Sequence, residues 1–286
     1  MKERRVSGGN YVFFGGSTGI GHAAAVELGR RGANVLIVGR GRKAGEVAVE
    51  AVRASGGEAA FLAADLSTLK GVKAAAEGVV AWQPVLHGLM HTAMAGFKGK
   101  TLTADGLEFA FALQYMARAA LNRALVEPLA ASGDGRIVSI SGNVPSSFMP
   151  DLDDLQFERR KWSFYKSILG THLLGHLHVQ EAARLWRDRP VTIAAACVGS
   201  TKTKVMADPL MPLSMKLLGL FGTTPEVSAV NAVRLLTQAS PAAFDGVVLR
   251  NPKRFEPEPL AMNPDAARKL WAVTGDIAAK HGLSLV

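Results

Sequence analysis

The stretch YVFFGGSTGIGHAAAVELGRRG, residues 11–32, runs from an apolar segment of strand length through a glycine-rich turn into a segment of helical period. Gly15 can take the sharp turn, Gly19 lets the backbone approach a pyrophosphate, and Gly21 permits close helix packing. The first N–H groups of the helix have no partner within it, which suits a negative charge placed at the turn. Such a turn also exists without a ligand; its position directly after the first strand and before a helix is what favours a dinucleotide.

Working outward, the same alternation repeats. NVLIVGR (34–40) reads as a strand, KAGEVAVEAVRASG (43–56) as a helix and EAAFLAADLS (58–67) as a strand. HGLMHTAMA (87–95), GRIVSISG (135–142) and VTIAAACVG (191–199) continue the strands, with helices over 107–132 and 167–188 between them. Continuous apolar strands alternating with helices imply a parallel sheet buried on both faces, closed by right-handed crossovers. The expected fold class is therefore α/β, a Rossmann-type doubly wound sheet in a single domain. After Gly199 the sequence turns rich in Met, Leu and Pro; residues 200–223 read as a lid over a pocket or as an ordinary amphipathic surface segment, and 254–286 as a C-terminal extension.

Composition narrows the class. The 286 residues are 48% apolar and 20% charged, which fits one large globular domain. The lone Cys197 excludes an internal disulfide, the first ten residues are basic with no apolar run, and a reducing cytoplasm is the expected setting. No apolar stretch reaches the ~18 residues of a membrane span. The net charge of +9 is scattered, so anionic small ligands are expected in preference to nucleic acid.

At the end of the second strand, where an acidic residue would meet the ribose hydroxyl of NAD, the sequence reads VGR. Arg40 can instead grip a 2′-phosphate, with Arg42 able to share the role, so NADP(H) is the expected cofactor. Asp65 suits an adenine amino group or the cap of the helix that follows.

These pieces together carry a likeness. With GGSTGIG, Arg40, ADLS, GRIVSIS, VGSTKT and DAARKLWAVTG, the chain resembles the short-chain dehydrogenase/reductase family, especially its retinol-dehydrogenase-like branch. The resemblance implies a sheet of about seven parallel strands, a nicotinamide cofactor and hydride exchange with a carbonyl. It further implies cofactor contacts from Gly15, Ser17, Thr18, Gly19, Ile20 and Gly21, from Leu66 beside Asp65, from Thr92 and Ala93 after strand four, and from Thr203. Association into a dimer or tetramer through helices near 107–130 and 168–187 is common in similar proteins; those faces also read as ordinary core.

The reaction centre departs from the family. Its strand-four Asn-Asn-Ala-Gly falls on His91-Thr92-Ala93-Met94, its helix-four asparagine on Gln114, its serine on Gly142 and its turn proline on Val198. The Tyr-x-x-x-Lys pair falls on Ile168 and His172. Tyr165 and His172 lie on the same helix face as Ile168, so a displaced phenol, an imidazole and Ser141 are the candidate catalytic groups; a pocket wall and a satisfied histidine are the plain alternatives. His172 and His176 have metal-ligand spacing but no third ligand, and no metal is expected. Cys197 reads as a small core residue and Trp271 as a helix anchor. The leading expectation is an NADP(H)-dependent oxidoreductase of a small hydrophobic substrate. Its rivals are a non-redox cyclase, dehydratase or isomerase on the same fold, and an NADP-binding sensor.

Overall fold

The computed structural model describes residues 4–238 and 241–285. Its strands are β1 (Asn10–Phe14), β2 (Asn34–Gly39), β3 (Glu58–Ala63), β4 (Gly88–His91), β5 (Gly135–Ser141), β6 (Val191–Cys197), β7 (Val247–Leu249) and β8 (Pro257–Pro259). They form one sheet in the order β3-β2-β1-β4-β5-β6-β7-β8. The first seven run parallel, as the alternation requires, and β8 adds an antiparallel edge that pairs Val247 with Pro259 and Leu249 with Pro257. The prolines explain why β8 was not legible as a strand: lacking N–H groups, they are tolerated only at a sheet edge.

Helices α1 (Gly19–Arg30), α2 (Arg42–Ala54) and α8 (Pro225–Thr237) cover one face of the sheet. Helices α3 (Leu69–Trp82), α4 (Ala117–Ala124) and α6 (Phe164–Trp186) cover the other. Strand alternation sorts β1 accordingly: Tyr11 and Phe13 join the first core, Val12 and Phe14 the second, and all four are buried. A short α5 (Val126–Ala130) follows α4, and α7 (Leu213–Leu220) lies in the Met- and Leu-rich segment.

The helix expected near 107–132 opens with one π-helical stretch, Phe111–Met116, before α4. Its entry is held by the buried Glu108 carboxylate, which accepts hydrogen bonds from the Phe111 N–H (2.9 Å), Ser167 Oγ (2.8 Å) and Trp162 Nε1 (3.1 Å). The last helix, α9 (Pro264–Lys280), is capped by the Asn263 side chain and crosses α6 and α4. Trp271 is its anchor: the ring stacks on His178 at 5.2 Å, meets Trp186 edge-on and receives the Arg123 guanidinium at 4.3 Å. Helices α4 and α6, in the regions through which association was expected, are both in contact with α9.

Candidate active site

Strand order reverses between β1 and β4, and a cleft of about 240 Å³ opens over their carboxyl ends. Such a reversal is where open α/β sheets bind ligands, because the two loops diverge there. The glycine turn forms one wall. Gly15 has φ +93°, and a Cβ on it would lie 2.5 Å from the Ala93 nitrogen. Gly21 sits behind the cleft, where a Cβ would lie 2.4 Å from Thr92 Oγ1. Both glycines are thus required by close approach between the β1 and β4 loops. Ser17, Thr18, Gly19 and Ile20 line the cleft, and Thr18, the cap of α1, makes no side-chain cap bond. The first N–H groups of α1 consequently remain available to an anion.

Arg40 lines the far wall, exposed, and makes no ion pair with any described residue. Arg42 has moved into the first turn of α2, away from the lining. Leu66 contributes to the third wall, whereas the Asp65 carboxylate accepts from the Ser67 N–H (3.0 Å) and Oγ (2.7 Å). Asp65 thus holds the turn before α3, whose cap is Thr68: the Thr68 side chain accepts from the Gly71 N–H at 3.1 Å. At the other end, Thr92, Ala93, Met94, Leu113 and Thr203 close the cleft. The expected cofactor residues are thereby brought to one place, apart from Gly21 behind it and Asp65 beside it.

The expected catalytic groups separate. Ile168 is buried beside Phe97 and Ala110, with Met94, Phe109 and Trp162 around them, so an apolar collar encloses the position on which the tyrosine was expected to fall. Tyr165 does not line the cleft: it lies at the exposed start of α6, and its hydroxyl bonds Ser214 Oγ on α7. His172 lies inside. Its Nδ1 is 3.5 Å from Ser141 Oγ, which is also 3.0 Å from His176 Nε2. Burial holds the His172 pKa down to about 3 and that of His176 to about 4, helped for His172 by the Arg118 charge. Both imidazoles are therefore neutral at physiological pH, able to donate or accept a hydrogen bond but not to act as imidazolium acids. His178 leaves this group for the Trp271 stack, and its Nε2 lies 3.2 Å from Asn122 Nδ2, whose Oδ1 meets His91 Nε2 at 2.7 Å.

Arg118 was not foreseen. Its Nη1 donates to the Ile140 carbonyl at 2.7 Å and Nη2 to that of Ala93 at 3.4 Å, while Nε has no partner and no described carboxylate pairs with it. Burial lowers its pKa to about 10, so it remains a cation. With Ser141, His172 and His176 it borders a cavity of about 20 Å³, room for about one water. The signal was an arginine inside the otherwise apolar run YMARAAL, residues 115–121. Cys197 is buried at the end of β6 and burial pushes its thiol up to about 11, the behaviour of a core side chain.

The segment 200–223 meets the glycine turn and two other parts of the molecule. Thr203 packs against Gly19, Asp208 against Gly96, and Ser214 meets Tyr165. Among the described residues no helix is long and apolar enough to cross a membrane.

Comparison with known proteins agrees with this geometry. Residues 10–150 match the short chain dehydrogenase family. The chain is 27% identical to human retinol dehydrogenase 13 over 281 residues, covering 93% of this chain and 83% of that protein. It is 28% identical to human retinol dehydrogenase 12 over 269 residues, covering 93% and 85%. Among solved structures, a short chain dehydrogenase from Burkholderia cenocepacia in complex with NADP superposes with a TM-score of 0.69 at 21% identity, covering 87% of this chain and 98% of that one. A 3-oxoacyl (acyl-carrier-protein) reductase from Agrobacterium tumefaciens with NADP bound gives 0.65 at 24%, covering 82% and 89%.

Proposed function

Because this chain belongs to the short-chain dehydrogenase/reductase family, we propose that it is an NADP(H)-dependent oxidoreductase acting on a lipophilic carbonyl or alcohol, with a non-standard proton path. The observation that carries the reading is Arg40: an unpaired guanidinium at the end of β2, facing the glycine turn across one cleft, where an acidic residue would select NAD. NADP(H), when bound, supplies the hydride. Arg40 would hold its 2′-phosphate, the backbone of Ser17 to Ile20 its pyrophosphate, and Ala93, Met94 and Leu113 its reactive end. The names of the relatives, retinol dehydrogenases among them, agree with a lipophilic substrate, and the collar of Phe97, Phe109 and Trp162 around Ile168 is suited to one. Residues 200–223 serve as the lid and a reducing cytoplasm as the setting.

Ile168 and Gly142 have no proton to give, and Tyr165 latches the lid. We assign the relay to Ser141 and neutral His172, with His176 behind them and water in the small cavity. Arg118 supplies the positive charge that the family draws from lysine, favouring the alkoxide side of the transfer by electrostatics. The loss of three standard donors favours one rival, binding without turnover.

Incubation with NADPH and a panel of lipophilic ketones, following both the reduced cofactor's absorbance and the product masses, tests the reading. Oxidation of NADPH matched by alcohol is expected. A mass-neutral or dehydrated product would move the reading to a non-redox enzyme, and saturable binding without turnover to a sensor.

A further inference from the structure

We propose that the outer face of residues 202–221 docks on an anionic lipid bilayer. Large apolar side chains crowd the outside of this one segment: Leu213 is 70% exposed, Leu220 66% and Phe221 89%, with Leu210, Leu217 and Leu218 also outward. The segment is not loose. The Thr223 N–H donates to the Ser200 carbonyl (2.9 Å), the Lys202 N–H to the Thr223 carbonyl (2.8 Å), and Gly219 packs against Met206. The outward leucines are therefore held in place, and an ordered apolar surface of this kind marks a contact site.

Charge selects the occupant. Lys202, Lys204 and Lys216 border a groove of about 450 Å³ whose walls include Met206 and Leu220. The only acid between residues 200 and 223 is Asp208, which packs against Gly96 and whose Oδ1 accepts the Leu210 N–H at 2.8 Å. Leucines flanked by lysines without acids match acyl chains beneath phosphate headgroups. A second copy fits poorly, because a two-fold contact would set the same lysines against one another. The docking does not depend on the reaction assigned to the cleft.

Sedimentation of the full chain with vesicles tests it, using phosphatidylcholine alone and phosphatidylcholine mixed with phosphatidylglycerol. Binding to the mixed vesicles is expected, weakened by salt, with little on the neutral ones. The triple variant Leu213→Ser, Leu217→Ser, Phe221→Ser should lower the partition at least about tenfold. Lys202→Glu with Lys216→Glu should lower it roughly fivefold per residue. All five side chains lie at the surface, so far-UV dichroism should be unchanged; if the triple variant fails to fold, the lysine pair carries the test alone. Wild-type binding by the lysine pair, or no binding to the mixed vesicles, overturns the proposal. So does a dimer in light scattering that the triple substitution dissociates while vesicle binding is absent. A thermal shift with NADPH, run beside it, reports on the cleft independently.

Discussion

Arg40 and Gly15 act on different parts of the same cleft, and substitution separates them. Arg40→Ala removes a charge-assisted pair worth about 1.5–3 kcal/mol, so NADPH should bind at least about tenfold more weakly by calorimetry, with NADH little changed. Equal losses for both would refute the 2′-phosphate assignment. Gly15→Ala meets a positive φ and the Ala93 backbone at once, and should cost roughly 1–3 kcal/mol in urea unfolding. The places of these residues were legible because they are set locally: Gly15 follows β1 directly and has φ +93°, and Arg40 follows β2 directly. Arg118 was not, since its meaning lies in the absence of a carboxylate from neighbouring elements, which only tertiary structure reveals. His172 was singled out, but its neutral state depends on β5 and α4 packed around it.

Among the elements, α7 meets the first turn of α6 through Tyr165, and α9 packs on α6 and α4. Tyr165→Phe deletes the bond to Ser214 and no group of the small cavity. Steady-state kinetics should accordingly show a raised KM with turnover within about threefold, whereas a fall of tenfold or more would return the hydroxyl to proton donation. The shared helix face of Tyr165, Ile168 and His172 was legible from spacing. What that face meets changes along α6, from the Ser214 hydroxyl at Tyr165 to the small cavity at His172, and periodicity carries no information about that. Trp271→Ala would strip a partner from His178, Trp186 and Arg123 together and should cost about 3 kcal/mol in urea unfolding. A much smaller loss would mean that α9 rests on its caps and the Tyr115–Thr274 hydroxyl pair instead. Its sequence marked it as an anchored helix; the surface it covers was not legible, because α4 and α6 read equally as core and as an association face.

For the molecule as a whole, buried imidazoles set the response to acid. His91, His172 and His178 are held near pKa 3 and His176 near 4, below the unfolded 6.5, chiefly by burial. Between those values the unfolded chain binds protons that the folded chain refuses, so stability is present above pH 6.5 and falls as pH drops toward 4. Each histidine contributes a slope of about 1.4 kcal/mol per pH unit, and four together about 5. Urea midpoints measured from pH 7 downward should decline steeply and reach acid unfolding near pH 5; a flat profile to pH 4 would show these rings to be hydrated. The sheet that encloses them was legible in class and direction, since repeated strand-helix units with right-handed crossovers imply parallel strands, apart from the proline edge. The place of α9 also bears on biosynthesis. Helices α4 and α6 lack this cover until α9 has been made, so the part of the sheet that carries the glycine turn can form during synthesis before the cover arrives.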